Sequence, residues 1–376
     1  MRRLALPLTV AALALAGLAV APAASAAGPN YLKLAKQGIR AAKANYWNRG
    51  LHWYNDRLND NDPFPLATTW SIVPLFEAVD GVGLANKNKN TRKAVKTFAE
   101  FALHYWNPDL KPHGGFAPYP GDRGSNNFVY FDDNGWWGLA LIDAYRVTHN
   151  KKYRKYAAKA SNFADARAWQ GGGPEGGMWW NTHKNVHSLE ALAAETALAA
   201  EVYEYSGDTK YLNRARKFLA WADQNARDQQ GLYENRTQPV MTYVEGAFLA
   251  ADLALCQKGE KTACSQAELI ARFSYDHWNG GDPNFGPQFD TIFFRYLVQL
   301  SAFDHSPLWW NWASRAAQDA IANAHDTKHP DLYLKFWDGT QVTAPQHQVL
   351  QMRYGQIQTH SAPVALFAWL AAFPAP

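Results

Sequence analysis

Hydrophobic and small residues recur at three- and four-residue intervals along most of the chain, which predicts an almost entirely helical protein. One such stripe begins at Leu189 and stops at Ser206-Gly207-Asp208, where the glycine suits the left-handed end of a helix. A second helical pattern follows at once from Tyr211. The alternation predicts pairs of consecutive helices joined by tight turns.

The turn between these two helices has an earlier counterpart. Residues 148–153 precede a helical pattern in the same way as residues 206–211, about 58 positions before them. Helix starts near Thr91 and Ser306 fit the same series. About six such units fit in the chain, and six hairpins that close on themselves form an all-α, toroidal (α/α)6 barrel. An open solenoid is the alternative, but the long glycine-rich loops and dissimilar repeats disfavour it.

The N-terminal segment has the features of a secretory leader. Two arginines follow Met1, an apolar run extends to about Val20, and Ala24-Ser25-Ala26 offers small residues for cleavage. We expect a leader at 1–26 and one barrel domain at 27–376, because no linker rich in Pro, Ser or Gly divides the rest. No later apolar run is long enough to span a membrane.

Composition narrows the possible partners. The chain has 47% hydrophobic and 19% charged residues, which excludes a disordered or collagen-like protein. The formal net charge is +4, and two of these cations lie in the leader. Nucleic acid is therefore an unsuitable partner, because so little positive charge remains to neutralise phosphates. We expect an exported, soluble monomer.

The two cysteines, Cys256 and Cys264, lie in a short polar segment that we interpret as a loop. In an oxidising compartment such a pair predicts a disulfide. A zinc site is disfavoured because neither cysteine has a nearby histidine. His183 and His187 are spaced as helical metal ligands, and Asp56 opens an acidic run like a calcium loop, but both sets are incomplete. We expect no metal and no cofactor.

The most distinctive local signal is Tyr130-Phe131-Asp132-Asp133-Asn134-Gly135-Trp136-Trp137, which leads into a helical stripe. Helix capping explains one aspartate well and two only in part. Two adjacent acids suit glycoside hydrolysis, in which one carboxyl group protonates the leaving oxygen and the other acts as nucleophile or activates water. We expect the helix dipole to keep one acid ionised while its neighbour retains a proton.

Tryptophan is unusually frequent, with 16 in 376 residues. The C–H face of a pyranose packs on a flat ring while its hydroxyl groups bind polar neighbours, so aromatic residues in loops are candidate sugar platforms. The glycine-rich segment 171–177 leads into one pair of them. The four candidates, each of which could equally fill the core, are Trp136, Trp137, Trp179 and Trp180.

The segment 131–137 resembles the Asp-Asp motif of glycoside hydrolase family 76, whose characterised members are α-1,6-mannanases. Segments 177–182, 207–212, 242–248 and 289–297 are similar to later motifs of that family and occur in the same order. The resemblance spans roughly Tyr31 to Ala372. It implies an (α/α)6 barrel and a retaining mechanism, with Asp132 as nucleophile and Asp133 as acid/base.

The resemblance also implies substrate-binding positions at Asn134, Asn181, Tyr243, Glu245 and Asp290, beside the four tryptophans. Glu245 and Asp290 depart from the family pattern, because each places an acid where the family has a neutral or basic residue. Altered subsite chemistry is expected there.

Together these features predict a secreted glycoside hydrolase, endo-acting on α-1,6-mannan or a related α-mannoside polysaccharide. One alternative is a polysaccharide lyase on a similar barrel, although such a site needs cations that the loops around the aspartates hardly offer. The other is a non-catalytic glycan-binding protein, which would keep the tryptophans without needing two adjacent acids.

Overall fold

The computed structural model describes residues 28–58, 64–234, 238–344 and 352–376. The expected leader at 1–26 and most of the acidic run after Asp56 lie outside these ranges. The described residues form twelve α-helices, which are α1 Tyr31–Tyr46, α2 Thr69–Ala85, α3 Lys89–Ala102, α4 Phe131–Thr148, α5 Lys151–Arg167, α6 Leu189–Ser206, α7 Thr209–Asn225, α8 Thr242–Gln257, α9 Lys261–His277, α10 Pro287–Asp304, α11 Pro307–Asn323 and α12 Ile357–Ala372.

Helix boundaries follow the local signals in the sequence. Gly207 ends α6 with a φ of 71°, and the Asp208 side chain accepts a hydrogen bond from the Lys210 N–H at the start of α7. Thr91 completes a capping box with Asn88 at the start of α3. The predicted pairs of consecutive helices are confirmed, because chemistry at the caps fixes where each helix stops.

Six helices form a closed inner ring. Along the ring α2 contacts α4, α4 contacts α6, α6 contacts α8, α8 contacts α10, α10 contacts α12, and α12 returns to α2. The other six helices lie outside them, and the sixth pair joins the last helix, α12, to the first, α1. The predicted (α/α)6 barrel and single domain are confirmed, since a solenoid would leave α2 and α12 apart.

The inner helices are buried on nearly all sides. In α6 the buried positions include Glu195 and Glu201 as well as the predicted apolar stripe. The outer helix α7 buries only one face, on which Tyr211 and Phe218 lie. A helix that packs against its ring neighbours and against an outer helix has almost no solvent-exposed face. Its side chains must therefore be apolar, or form hydrogen bonds or ion pairs, on every side.

Three of the connections from an outer helix to the next inner helix fold back as short antiparallel hairpins. Each lies at the end of the barrel where the inner helices begin, because it follows an outer helix and precedes or joins an inner one. Their strands are β1 Trp47–Asn48 with β2 Trp53–Tyr54, β3 Trp106–Asn107 with β4 Gly115–Phe116, and β5 Trp169–Gly171 with β6 Gly177–Met178. A single 3-10 turn at Leu103–Tyr105 precedes β3.

The predicted disulfide is present between Cys256 and Cys264. Our interpretation of the segment as a loop was wrong. Cys256 lies in the last turn of α8 and Cys264 in the first turn of α9, so the bridge links two consecutive helices across a turn. The amphipathic start of α9 was hidden by the lysines and glutamate around it.

Within the described ranges, none of the helices combines the length and the hydropathy that a membrane span requires. A buried ion network lies in the middle and C-terminal parts of the inner ring. Arg295 of α10 pairs with Glu77 of α2 at 2.7 Å and with Asp143 of α4, and Arg146 of α4 pairs with Asp143 at 2.9 Å. These pairs connect three inner helices through charges of which Arg295, Glu77 and Asp143 are buried, while Arg146 is partly exposed.

Asp80 of α2 lies in the same network without a hydrogen bond to any described residue. Burial raises the pKa of Asp80 well above its usual value, and the Asp143 charge raises it further, while Arg295 opposes the rise. The folded state therefore binds this proton more tightly than the unfolded state, and stability is lost as pH rises through the folded pKa.

Replacing Asp80 with Asn should raise the thermal stability at pH 8, because the buried side chain no longer has to lose a proton or carry a charge. The gain in stability should shrink toward pH 4, where the side chain at position 80 is neutral in both folded proteins. Differential scanning calorimetry of the two proteins across this range measures the effect. An equal change in melting temperature at pH 4 and pH 8 would contradict it.

Candidate active site

The first turns of the inner helices converge at one end of the barrel, because all six helices run in the same direction. Thr69 begins α2, Asp132 and Asp133 lie in the first turn of α4, Glu190 lies in that of α6, and Tyr243 lies in that of α8. The closed ring thus brings together polar groups that are far apart in sequence.

The start of α4 is fixed by its neighbours. The Phe131 N–H donates to the Trp180 carbonyl at 2.8 Å, and Tyr130 forms a bridge with Asn181. The Asn134 side chain accepts from the Phe116 N–H at 2.7 Å and donates to the Phe116 carbonyl at 3.0 Å. Asn134 therefore ties the β3–β4 hairpin to α4 and holds the aspartates in place.

Asp133 is buried beside α2. Its Oδ2 accepts a hydrogen bond from the Thr69 hydroxyl at 3.0 Å, and only 8% of the residue is exposed. Burial raises the pKa of Asp133 to about 7, although the Thr69 hydroxyl acts against the rise. A carboxyl group with this pKa exchanges its proton near neutral pH, as a general acid and base must.

Asp132 is partly exposed at the mouth of the ring. Burial of its carboxyl group raises the pKa well above its usual range, the charges of Asp133 and Glu190 raise it further, and the Trp180 indole opposes the rise. The helix dipole was expected to keep one acid ionised, but burial raises the pKa of both acids, and like charge adds to the rise at Asp132. Raised pKa values at two adjacent acids favour a protonated form of the pair over two ionised carboxylates.

The pKa of Asp132 is raised, which runs opposite to the role of ionised nucleophile that the resemblance implies for it. In two strongly interacting acids the proton belongs to the pair, so this shift describes the free protein and does not assign the two roles. The division of labour between Asp132 and Asp133 stays a prediction.

Glu190 is a third acid of this site and lies in the first turn of α6. Its carboxylate accepts hydrogen bonds from the Tyr243 hydroxyl at 2.5 Å, from the Gln238 amide at 2.8 Å and from the Ser188 hydroxyl. Three donors stabilise a negative charge. The signal that could have found it is Ser188-x-Glu190 at a helix start, where the serine caps α6.

The four predicted tryptophans separate into two groups. Trp136 and Trp137 are almost fully buried, and the Trp137 indole donates to the Ala102 carbonyl at 3.2 Å. Trp179 and Trp180 are partly exposed at the mouth of the barrel. Two consecutive helical positions that follow the aspartates thus face the protein interior, whereas the pair from the β5–β6 segment lies at the rim.

The two acids that depart from the family pattern are engaged by protein groups. Glu245 accepts from the Tyr233 N–H at 2.8 Å, and Asp290 accepts from the Gly286 N–H at 3.1 Å and the Trp337 indole at 2.8 Å. Both are fully buried. Burial raises the pKa of Asp290 to about 6 and that of Glu245 well above its usual value.

The remaining predicted residues lie at the same end of the barrel. Asn181 is buried and accepts from the His183 N–H at 3.0 Å. His183 packs on Phe128, whereas His187 stacks on Trp179 with ring centres 3.7 Å apart, so the two histidines have different environments. Among the described residues, no cluster of His, Cys, Asp or Glu has the arrangement of a metal site.

Aromatic residues not predicted from the sequence also line this end. Phe289 of α10 lies between Tyr243, at 4.7 Å between ring centres, and Trp70 of α2, at 5.5 Å. Trp70 and Phe289 are partly exposed. Both occupy first-turn positions of inner helices, so the ring supplies flat surfaces beside the acids from more than one direction.

Comparison with known protein families indicates which class of protein has this arrangement of residues. Residues 111–278 match the sequence model of Glycosyl hydrolase family 76. This segment of the chain is therefore similar to glycosyl hydrolase family 76. It contains the aspartate pair, Glu190 and Tyr243, while Asp290 lies beyond its end. The family match supports glycoside hydrolase activity, and no curated protein sequence matches the chain.

Solved structures extend the similarity in fold to the whole barrel. A GH76 α-mannanase of Bacteroides thetaiotaomicron has a TM-score of 0.77 at 18% identity, over 91% of this chain and 96% of its own. An inactive variant of a Salegentibacter α-1,6-mannanase, with two aspartates replaced and α-1,6-mannotetrose bound, has a TM-score of 0.69 at 17% identity, over 91% and 98%. A sugar epimerase from a ruminal bacterium has 0.63 at 9% identity, over 90% and 98%. Identities this low establish the fold alone.

Replacing Glu190 with Gln should shift the alkaline limb of the pH–activity profile toward lower pH. The amide keeps the side-chain shape but removes a negative charge that raises the pKa of Asp132, so the pair should lose its proton earlier. The measurement is kcat/KM from pH 4 to pH 9. Glu268→Gln, an exposed acid on the outer helix α9, is the control, and an unchanged limb in the Glu190 variant would contradict the expectation.

Proposed function

We propose that this chain is a secreted, retaining, endo-acting glycoside hydrolase that cleaves α-1,6-mannan or a related α-mannoside polysaccharide. The observation that carries the proposal is the Asp132–Asp133 pair, two adjacent acids with raised pKa values at the end of the barrel where six helices begin. The family 76 match over the segment that contains the pair supports the reaction type. The mannotetrose complex of the Salegentibacter enzyme supports the substrate class.

The chemistry follows from one proton on two acids. The ionised carboxylate attacks the anomeric carbon while the protonated carboxyl group gives its proton to the departing glycosidic oxygen. A glycosyl ester forms and the C–O bond to the leaving sugar breaks. The second acid, now ionised, then removes a proton from water, which displaces the ester and regenerates the pair with the configuration retained.

The charge around the pair suits this route. Among the causes that shift the pKa of the Asp132 carboxyl, the largest contributions from charged groups are those of the acids Asp133 and Glu190. A negative site stabilises the oxocarbenium-like transition state of glycoside cleavage. It would destabilise the carboxylate-bearing substrate of a lyase and its developing carbanion.

Product analysis tests the proposal. The protein is incubated separately with linear α-1,6-mannan, a branched mannan and a uronic-acid polymer, and the products are followed by NMR and mass spectrometry. We expect short manno-oligosaccharides whose newly formed reducing ends are initially α. Unsaturated ends would indicate a lyase, intact polymers would indicate a binding protein, and initially β ends would indicate inversion.

Asn substitutions test the two acids separately. Asp132→Asn removes the expected nucleophile and Asp133→Asn the expected proton donor, so each should lower kcat on mannan by about 100-fold or more. An aryl mannoside with a good leaving group should restore glycosylation only in the Asp133 variant, because that group departs without a proton. Rescue in the Asp132 variant instead would exchange the two roles.

Asp109→Asn, an exposed acid before β4, is the matched control for these substitutions and should retain full activity. Melting temperatures of all three variants separate loss of chemistry from loss of fold. Near-normal activity in either site variant would indicate that this aspartate caps the helix and takes no part in the reaction.

Secretion belongs to the proposal because of the leader-like segment at 1–26. Export with cleavage after Ala26 should give a mature N-terminus at Ala27. Intact-mass measurement of the protein recovered outside the producing cells checks this, and a full-length mass would oppose cleavage.

A further inference from the structure

The glycine-rich segment between β5 and β6 has no part in the reaction described above. Gly171, Gly172 and Gly177 have φ values of 68°, 85° and 106°, in the left-handed region that favours glycine. A Cβ at Gly176 would lie 1.6 Å from the Gly171 carbonyl oxygen. The segment therefore has a backbone conformation that residues other than glycine would not allow. A loop with such strict requirements is a candidate for a binding surface.

The loop is fitted around Trp221 of the outer helix α7. The Trp221 indole donates to the Gly172 carbonyl at 3.0 Å, and a Cβ at Gly177 would lie 2.9 Å from its ring. Trp169 meets the same ring edge-on, at 6.5 Å and 87°. These contacts fix the orientation of a tryptophan that remains partly exposed.

A pocket of about 210 Å³ lies beside this tryptophan, and among its lining residues are Met178, Val186, Trp221, Glu175, His187 and Asn225. It lies at the same end of the barrel as the aspartates, because α7 ends where α6 begins. It is on the outer side of the ring, since α7 belongs to the outer layer. None of the described lining residues is Asp132, Asp133 or Tyr243.

The chemistry of the lining suits a neutral sugar. An indole and apolar side chains can accept the C–H face of a pyranose, while a carboxylate, an imidazole and an amide at the rim can bind its hydroxyl groups. Within the part of the chain that the structure describes, the residues that line the pocket include Glu175 and no lysine or arginine. A phosphate or a uronic acid would meet a like charge there with no cation to offset it.

We propose that the pocket between the loop 171–177 and Trp221, which borders the candidate active site through Ser188, binds a neutral hexose unit of a polysaccharide apart from the two aspartates. The choice of a mannan chain as ligand rests on the proposed function. A second contact on the same chain raises the affinity for polymer through effective concentration, while a fragment too short to reach both sites gains nothing. The pocket thus favours polymers over short oligosaccharides.

The binding experiment uses the full chain carrying Asp132→Asn and Asp133→Asn, so that the polymer stays intact. Retardation in native gels that contain linear α-1,6-mannan is compared with and without Val186→Trp. Val186 is 40% exposed at the pocket, so the larger ring fills the pocket without disturbing the core. Leu269→Trp, at a position 37% exposed on α9, is the control.

A second pair of variants removes the platform itself. Trp221→Ala is matched with Trp310→Ala, because Trp310 is also partly exposed on an outer helix and donates to a backbone carbonyl at 3.0 Å. Val186→Trp and Trp221→Ala should each weaken binding to the polymer several-fold, and the two controls should not. In the active enzyme the same variants should raise KM for mannan and leave kcat/KM for an aryl mannoside unchanged.

The outcomes separate this inference from the proposed function. If the enzyme cleaves mannan but both pocket variants bind and cleave polymer normally, the pocket inference is wrong and the function stands. In a second outcome, the protein binds another neutral polysaccharide and does not cleave mannan. If both variants lose that binding, the pocket inference holds without the proposed function. If the two pocket variants lose binding to an acidic polysaccharide and to no neutral one, the inferred ligand class is wrong.

Discussion

Close approach of the inner helices is the constraint on which the barrel depends. A Cβ at Gly135 would lie 2.6 Å from the Ala194 methyl carbon, and a Cβ at Gly81 would lie 2.8 Å from that of Ala368. Glycine at these positions lets α4 meet α6 and α2 meet α12 nearly backbone to backbone. Real side chains essentially never pack this closely, so an alanine at either position would force the helices apart.

The same approach assembles the site. Gly135 lies one turn after the aspartates, and Ala194 one turn after Glu190, so the contact between them sets how near the acids of α4 and α6 come. At the opposite side Thr69 of α2 reaches Asp133. Four inner helices thus place one or two residues each around one point. Packing of the ring brings the helices together, and contacts with the β3–β4 hairpin and with Trp180 hold the start of α4 in place.

Much of the fold was predictable from the sequence because its signals are local. Caps such as Gly207 and Asp208 mark helix ends wherever they occur, and a recurring hairpin length indicates a closed repeat. The aspartate pair was also visible, since adjacent acids among aromatic residues need a reason. The placement of Cys264 in a helix was not, because lysines and a glutamate beside it resemble a loop.

Which neighbours of the pair face the site was less predictable. A helix turns by about 100° per residue, so residues next to Asp132 and Asp133 point in different directions. Asn134 binds β4 and Trp137 binds Ala102, although both belong to the same motif. In a helix buried on every side, the hydrophobic pattern does not distinguish its inner from its outer face. Glu190 and Thr69 approach the pair only through the ring, which no short motif encodes.

The barrel by itself does not determine the chemistry, since a sugar epimerase shares it. What distinguishes this chain is the competition between helix ends and burial at the first turns. A helix N-terminus lowers the pKa of a nearby acid and would leave both aspartates ionised if they were exposed. Burial prevails over it at both acids, and the charges of Asp133 and Glu190 add to the rise in the pKa of Asp132. One protonated acid beside one ionised carboxylate is the state that the proposed retaining cleavage requires, and raised pKa values bring this state toward neutral pH.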